Sequence, residues 1–418
     1  MKKLFFIFLL LITHYSLLIA QPGWVVQPFS GTYFFTDVHF ADVNTGWAVG
    51  SWGGYPNIKG VIIKTTNGGT NWNILTDNIK LLYSVHFADN NTGWVVGDSG
   101  NVFKSTDGGL NWNNETSGTN RPLYYVYFVD NNTGWAVGYM GAVIKTTNGG
   151  NNWVGQTASG AGFTSIKFVD YNTGWISGTG NAIFKTTNGG TSWVQQIITN
   201  GNGGYPAIYF VNSNTGWVVA LGGTIHRTTN GGANWVLYST GTSLSLSSLF
   251  FVDENTGWVC GDNDIIRKTT NGGISWVSQG SYGGGWLNAF HFVNSTTGWV
   301  VGDEGAILKT TTGGSTFIRN ISSEIPGKFS LYQNYPNPFN PITKIKFDIP
   351  SDVRRKTLDV KLIIYDITGR EIQTLVNEKL NPGTYEVTFD GSNFASGVYF
   401  YQLISGDFVA TKKLILLK

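Results

Sequence analysis

The sequence predicts an all-β protein, a seven-bladed β-propeller followed by a small Ig-like β-sandwich. Three observations predict the propeller. The stretch Lys64-Thr65-Thr66-Asn67-Gly68-Gly69-Thr70-Asn71-Trp72 returns as Lys104–Trp112, Lys145–Trp153, Lys185–Trp193, Arg227–Trp235 and Lys268–Trp276, and ends in a worn copy, Lys309–Phe317. A Thr-Gly-Trp triplet precedes each copy, ending at Trp47, Trp94, Trp135, Trp175, Trp217, Trp258 and Trp299. Successive copies lie about 40 to 47 residues apart, the period of a four-stranded blade.

The expected organisation, in chain order, is an export signal over 1–20, the propeller over 21–322, a Pro/Asn-rich linker over 323–341 and the C-terminal sandwich over 342–418. Met1–Ala20 reads as a signal peptide: Lys2 and Lys3 form the charged start, and Leu4–Ile12 is an apolar core too short to span a bilayer comfortably. No other apolar run approaches a membrane span, so no transmembrane segment is expected in the mature chain. The 418 residues include 56 Gly and 16 Trp but only 12% charged residues, with a net charge of +2. That balance suits short strands and tight turns. It lacks the basic field that a phosphate backbone demands, so nucleic acid is not an expected partner. Cys260, the only cysteine, cannot form an internal disulfide and stands where blade 2 has Val96, as a buried thiol.

Blade 2 shows how each element is justified. Ser84–Asp89 alternates like a strand, Asn90-Asn91-Thr92-Gly93 is turn chemistry, and Trp94–Gly97 is the second strand. Asp98-Ser99-Gly100 turns the chain into a third strand, Asn101–Ser105. Asp107-Gly108-Gly109 then closes a hairpin onto a fourth strand around Trp112. Asp107, like Asn67, is expected to accept from backbone N–H groups two residues on. Gly23–Gln27 resembles a fourth strand, with Trp24 matching Trp72. The N-terminal segment is therefore expected to pair into the last blade and seal the ring, since an open hydrophobic edge invites aggregation.

Ser105-x-Asp107-x-Gly109-x-Asn111-Trp112 resembles the Asp box of sialidase-type and related propellers (the BNR repeat). The fuller pattern, Thr-Gly-Trp-x-Val-Gly followed by Ile-x-Lys-Thr-Thr-Asn-Gly-Gly-x-x-Trp, resembles the propellers of photosystem II assembly factors over about residues 24–320. That resemblance implies a fold more than a role. The family's role is tied to a basic patch, and this propeller has just Arg121, Arg227, Arg267 and Arg319.

After Ile325-Pro326 the repeat stops. Alternating strands are expected at Thr343–Ile349, Val360–Asp366, Gln373–Val376, Thr384–Asp390, Val398–Ile404 and Phe408–Leu417. Tyr335-Pro336-Asn337-Pro338-Phe339-Asn340-Pro341, Ile364-Tyr365-Asp366-x-x-Gly369, Ala395–Tyr401 and the terminal Thr411–Lys418 resemble the type A sorting domain of the type IX secretion system. The resemblance implies the type IX machinery as a partner. It also implies transport across an outer membrane, leaving the protein secreted or attached to the cell surface.

No catalytic, metal or cofactor residues are expected. His39, His86 and His291 share one slot of the first strand with Tyr127, Lys167, Tyr209 and Phe250, a mixture that reads as inter-blade packing and not as a metal site. Asp42, Asp89, Asp130, Asp170, Asn212, Asp253 and Asn294 share one turn position, where Asp and Asn interchange as turn caps do. Asp98, Asp262, Asp264, Asp303 and Glu304 would carry the alternative reading, a polysaccharide hydrolase with two carboxylates about 5 to 10 Å apart. Sialidase chemistry would want an arginine triad and a Tyr nucleophile, and the few arginines, with Arg227 merely replacing the usual Lys, argue against it. The favoured reading is a non-catalytic binding or adhesion module for an extracellular glycan or protein; an envelope-complex assembly factor is a further alternative. Candidate ligand-binding residues are the aromatics and the arginine in irregular loops of one face, Trp52, Tyr55, Arg121, Tyr139, Tyr205, Tyr282 and Trp286.

Overall fold

The computed structural model describes residues 23–417 apart from 55, 157, 159–161, 199–202, 280–284, 315–318, 323, 352–357 and 392–393. The expected export signal, Phe317 of the worn repeat, Tyr55 and Tyr282 lie outside the described residues.

Seven four-stranded antiparallel sheets form the propeller. Blade 2 runs Leu82–Phe87, Gly93–Gly97, Val102–Ser105 and Asn113–Glu115, so Trp112 stands in the turn before the outer strand. Blade 7 takes three strands from the last repeat, Leu287–Phe292, Gly298–Gly302 and Ile307–Thr310, and its fourth from the N-terminal segment. There Val25 pairs with Lys309 and Val26 with Leu308. Trp24, fully buried, stands in this blade where Trp72 stands in blade 1.

Each blade grips the next through its Thr-Gly-Trp tryptophan. The Trp47 indole stacks on Phe87 of blade 2, with centroids 3.5 Å apart, and its Nε1 donates to the Gly108 carbonyl at 3.0 Å. The same donation runs from Trp94 to Gly149, Trp135 to Gly189, Trp175 to Gly231, Trp217 to Gly272 and Trp258 to Gly313. Trp299 closes the circle onto Gly68 of blade 1 at 3.1 Å. The glycine of the triplet is fixed by this packing: a Cβ on Gly46 would fall 2.4 Å from the Phe40 ring.

The repeated box is held by its hydroxyl. Ser105 Oγ accepts from Gly109 N at 2.8 Å and donates to Asp107 Oδ1 at 2.8 Å. Asp107 Oδ1 in turn accepts from Asn111 N at 2.9 Å. The expected acceptance two residues on is corrected to four, as in blade 1 from Asn71 N to Asn67 Oδ1 at 2.9 Å. Gly108 and Gly109, at φ 74° and 87°, carry the chain past the side chain before it meets a backbone donor.

The C-terminal sandwich packs two four-stranded sheets face to face. One holds Gly383–Asp390, Ile342–Ile349 and Ser330–Leu331 with Arg319–Ser322 at its edge; the other holds Glu371–Leu380, Leu358–Tyr365, Gly397–Ser405 and Phe408–Leu416. Alternation sends Thr343, Ile345 and Phe347 inward. Residues 319–322, assigned by the repeat to the propeller, pair here with Thr384–Glu386. The Pro/Asn-rich stretch is part of this fold: Phe339 is buried in its core, and Asn337 Oδ1 accepts from Ile415 N at 2.9 Å.

Candidate functional site

The two faces of the propeller disc are chemically unlike. On one face the Thr-Gly-Trp turns meet the boxes, Asn44 O accepting from Gly68 N at 2.8 Å and Asn91 O from Gly108 N at 2.8 Å. Every turn on that face is capped from within. Asp42 Oδ1 accepts from Asn44 N and Thr45 N at 2.7 and 2.8 Å, and Asn212 Oδ1 repeats the pattern at 2.9 and 2.8 Å. A carboxylate and an amide oxygen serve equally, which is why Asp and Asn interchange.

The opposite face carries the inter-blade links and the turns between second and third strands. Its scaffold is a repeated bond from turn to link: Asp98 N to Leu81 O, Tyr139 N to Pro122 O, Asp262 N to Ser245 O and Asp303 N to Trp286 O, at 2.8 to 3.0 Å. These turns hold a non-glycine residue at positive φ: Ser99, Met140, Asn263 and Glu304 at 51° to 57°.

The sequence-predicted ligand residues separate here. Trp286 and Tyr139 are exposed, 54% and 45%, and so is Met140 at 58%. Arg121 joins Tyr139 and Met140 in blade 3, its Nη1 donating to Met140 O at 2.8 Å. Trp52 is half-buried: it packs on the cluster containing Phe35 and Val61, and its Nε1 donates to Asp77 O at 2.5 Å. Tyr205 is corrected from surface to core. It is 1% exposed and packs among Ile183, Ile208 and Val218 between blades, because its backbone N–H bonds Gly178 O at 3.0 Å and draws the link inward.

The loop carboxylates sit in blades 2, 6 and 7, and three of them have hydrogen-bond partners, Asp98 Oδ2 accepting from Ser99 Oγ at 3.0 Å. Asp264 Oδ1 accepts from Gly285 N at 3.1 Å, and Asp303 Oδ1 accepts from Asn288 Nδ2 at 2.9 Å.

Between the innermost strands of all seven blades runs a central channel of about 330 Å³. The shared slot of His39, His86, Tyr127, Lys167, Tyr209, Phe250 and His291 lines it, so these side chains face the lumen as well as one another. The imidazoles meet ring to ring, His39 4.4 Å from His291 and 4.7 Å from His86. Among the described residues no group of three or more His, Cys, Asp or Glu is arranged to hold a metal ion. Burial pushes the His39 pKa down to about 4, against a smaller opposing effect of the Phe87 backbone. His86 and His291 are held well below the ordinary value by burial first and then by neighbouring His39 and Lys167.

Lys167 donates to Tyr127 Oη at 3.3 Å, and its Nζ lies 4.8 and 4.5 Å from the Tyr127 and Tyr209 ring centroids. Burial works against this cation, but the Tyr209 and Tyr127 phenols outweigh it and its pKa is raised. Nearer the link face, Asp37 is buried. Its Oδ2 accepts from Ser84 Oγ at 2.6 Å and Val85 N at 3.0 Å, which stitches blade 1 to blade 2. Burial raises its pKa to about 6 despite these bonds. The sequence contained the signal for this lumen, a polar slot recurring in an otherwise apolar strand, but the slot's two neighbours in the ring are set only by closure.

A family model described as photosynthesis system II assembly factor YCF48 matches residues 74–154, 117–249 and 239–337, together more than half of the chain. The chain belongs to this family. A second model, the secretion system C-terminal sorting domain, matches residues 333–417 of this YCF48-family protein. Among solved structures, one titled "YCF48 bound to D1 peptide" is similar at 22% identity and a TM-score of 0.60, covering 71% of this chain and 96% of that one. YCF48 from Cyanidioschyzon merolae is similar at 21% identity and a TM-score of 0.57, covering 69% and 98%. The WD40 β-propeller domain of Doa1, at 12% identity and a TM-score of 0.58, covers 69% and 97%. At such identities the likeness is one of fold. Among curated proteins none matches the chain. A YCF48-family propeller followed by a type IX sorting domain is the make-up of a secreted propeller protein.

Proposed function

We propose that the protein is a non-catalytic binding or adhesion module whose link face takes an extracellular glycan or protein. The observation that carries this reading is the exposure of Trp286, Tyr139 and Met140 on the irregular face, while the other face spends its polar groups on internal caps. Rigid aromatics on anchored loops provide contact area at low entropic cost. Met140 adds weight: an unbranched apolar side chain at φ 51° costs backbone energy that Asn or Gly would avoid. A YCF48 propeller solved with a D1 peptide supports a polypeptide as a ligand class. In this reading the sorting domain is an address for the type IX machinery, and the propeller works after export, released or surface-attached.

The rival is a polysaccharide hydrolase. It would draw on two of Asp98, Asp262, Asp264, Asp303 and Glu304; a Cβ at Gly285 would lie 3.6 Å from Asp264 Oδ1 but would meet Asp303 at its backbone oxygen and Cβ, at 3.8 and 3.9 Å. The test is an array of extracellular polysaccharides and peptides probed with the whole protein, with product analysis on every hit. Saturable binding without new reducing ends is expected; new reducing ends on any polysaccharide would favour the hydrolase.

A further inference from the structure

The central channel holds a cation, Lys167, that forms no ion pair with any of the described residues. The ion pairs recorded among the described residues, Lys344 with Glu386 and Arg370 with Asp366, both belong to the sandwich. Lys167 sits deep in the lumen, and its partners are two neutral phenols. Asp37, the carboxylate lining the same cavity, has its Oδ2 occupied by Ser84 and Val85 and its Oδ1 by Val38 N at 2.9 Å. Burying a cation carries a desolvation cost; the two phenols offset it here but bring no negative charge of their own. The same slot accepts phenylalanine in blade 6, as Phe250, so packing alone does not require a lysine there.

We infer that the channel is a binding site for a small organic carboxylate whose body carries a ring, with the carboxylate against Lys167 Nζ. The cavity, about 330 Å³, lies at the lower end of the range for small-molecule sites. Its polar inventory fits an anion at the inner end: an ammonium has three N–H donors, and Lys167 engages Tyr127 and Tyr209, which leaves one for a carboxylate. Toward the link face the lining changes to aromatic: Tyr83 and Tyr124 meet edge to face with centroids 5.2 Å apart, and both remain part-exposed. A sugar or aromatic ring entering behind its carboxylate would lie against them. This goes beyond the link-face reading. It uses neither Trp286 nor Tyr139, and it stands even if those residues bind nothing.

The test is calorimetric titration of the whole protein with D-glucuronate and benzoate, each set against its neutral twin, D-glucose and benzamide. At least one carboxylate is expected to bind saturably and its twin about tenfold or more weaker, the loss of a charge-assisted bond. Lys167→Met should lower that affinity by about tenfold or more, with a melting curve to show that the variant is folded. Lys104→Ala, which removes a cation on the opposite face, should change nothing. The inference is overturned if neither carboxylate outbinds its twin, or if folded Lys167→Met binds as the wild type does. Should Lys167→Met fail to fold, the comparison of each acid with its twin in the wild type still decides.

Discussion

Trp24 meets Phe292 edge-on, ring centroids 5.6 Å apart at 87°, the relation that Trp72 holds to Phe40 within blade 1 at 5.8 Å and 88°. The N-terminal strand thus gives the last blade what the worn repeat no longer provides, a tryptophan against the innermost strand's phenylalanine. Closure follows from a side chain and not only from two backbone pairs.

Trp24→Ala should therefore destabilise the propeller by about 3 to 5 kcal/mol, the loss for a large aromatic removed from a core. Chemical denaturation against the wild type measures it. A loss below about 0.5 kcal/mol, the size of a surface change, would show that the ring closes without this residue.

The Trp299 bond to Gly68 spans the seam between the last blade and the first, yet its 3.1 Å matches the Trp135 bond to Gly189 in mid-ring. Trp299→Phe and Trp135→Phe keep the stack and remove the N–H, leaving a buried carbonyl short of a donor. Each should cost about 1 to 3 kcal/mol, and by similar amounts. A seam variant costing far less than the mid-ring one would mean that the seam opens before the propeller unfolds.

Acid should weaken the fold between pH 6.5 and about 4. His39 keeps its imidazole neutral when folded, with a pKa near 4 against 6.5 when unfolded. Its contribution is complete above pH 6.5 and is lost as the unfolded chain alone takes up the proton. His86 and His291 shift in the same direction. Asp37 opposes them: its folded pKa of about 6 lies above 3.8, so its term favours the fold in acid and fades as pH rises through 6. Three imidazoles outweigh one carboxylate. His39→Phe, which borrows the side chain of blade 6, should shallow the acid slope by on the order of 3 kcal/mol across that window. Urea titrations at pH 7, 5.5 and 4.5 read it, and an unchanged slope would show that His39 protonates in the fold.

Trp52 and Trp286, grouped by sequence as one binding surface, should part on stability. Trp52→Ala removes a ring packed on a core cluster and a bond to Asp77 and should cost about 2 to 4 kcal/mol. Trp286→Ala, half-exposed, should stay within about 0.5 kcal/mol of wild type. Melting curves of the two variants separate them.

The propeller was legible because its repeats state local rules seven times: a capped turn, a glycine under a phenylalanine, a hydroxyl-centred box. The sandwich strands were legible from strict alternation, which the buried Ile345, Phe347, Leu403 and Leu414 obey. What sequence could not show depends on closure. Which slot faces the lumen, and that Lys167 there lies between Tyr127 and Tyr209, needs the ring completed. Tyr205 was misplaced for a related reason: a tyrosine in a Gly-rich link looks exposed until its backbone bond to Gly178 fixes which way it turns. Residues 319–322 follow the last repeat in sequence but find their partners in the sandwich, a long-range pairing that periodicity does not encode.

The most direct test of the binding reading pairs Trp286→Ala and Tyr139→Ala with Lys104→Ala on the opposite face, all measured against a ligand found on the array. The account predicts that each link-face variant loses about tenfold or more in affinity, as an aromatic hot spot does, while Lys104→Ala binds as the wild type. Unchanged affinity in both link-face variants, or a loss confined to Lys104→Ala, would contradict it.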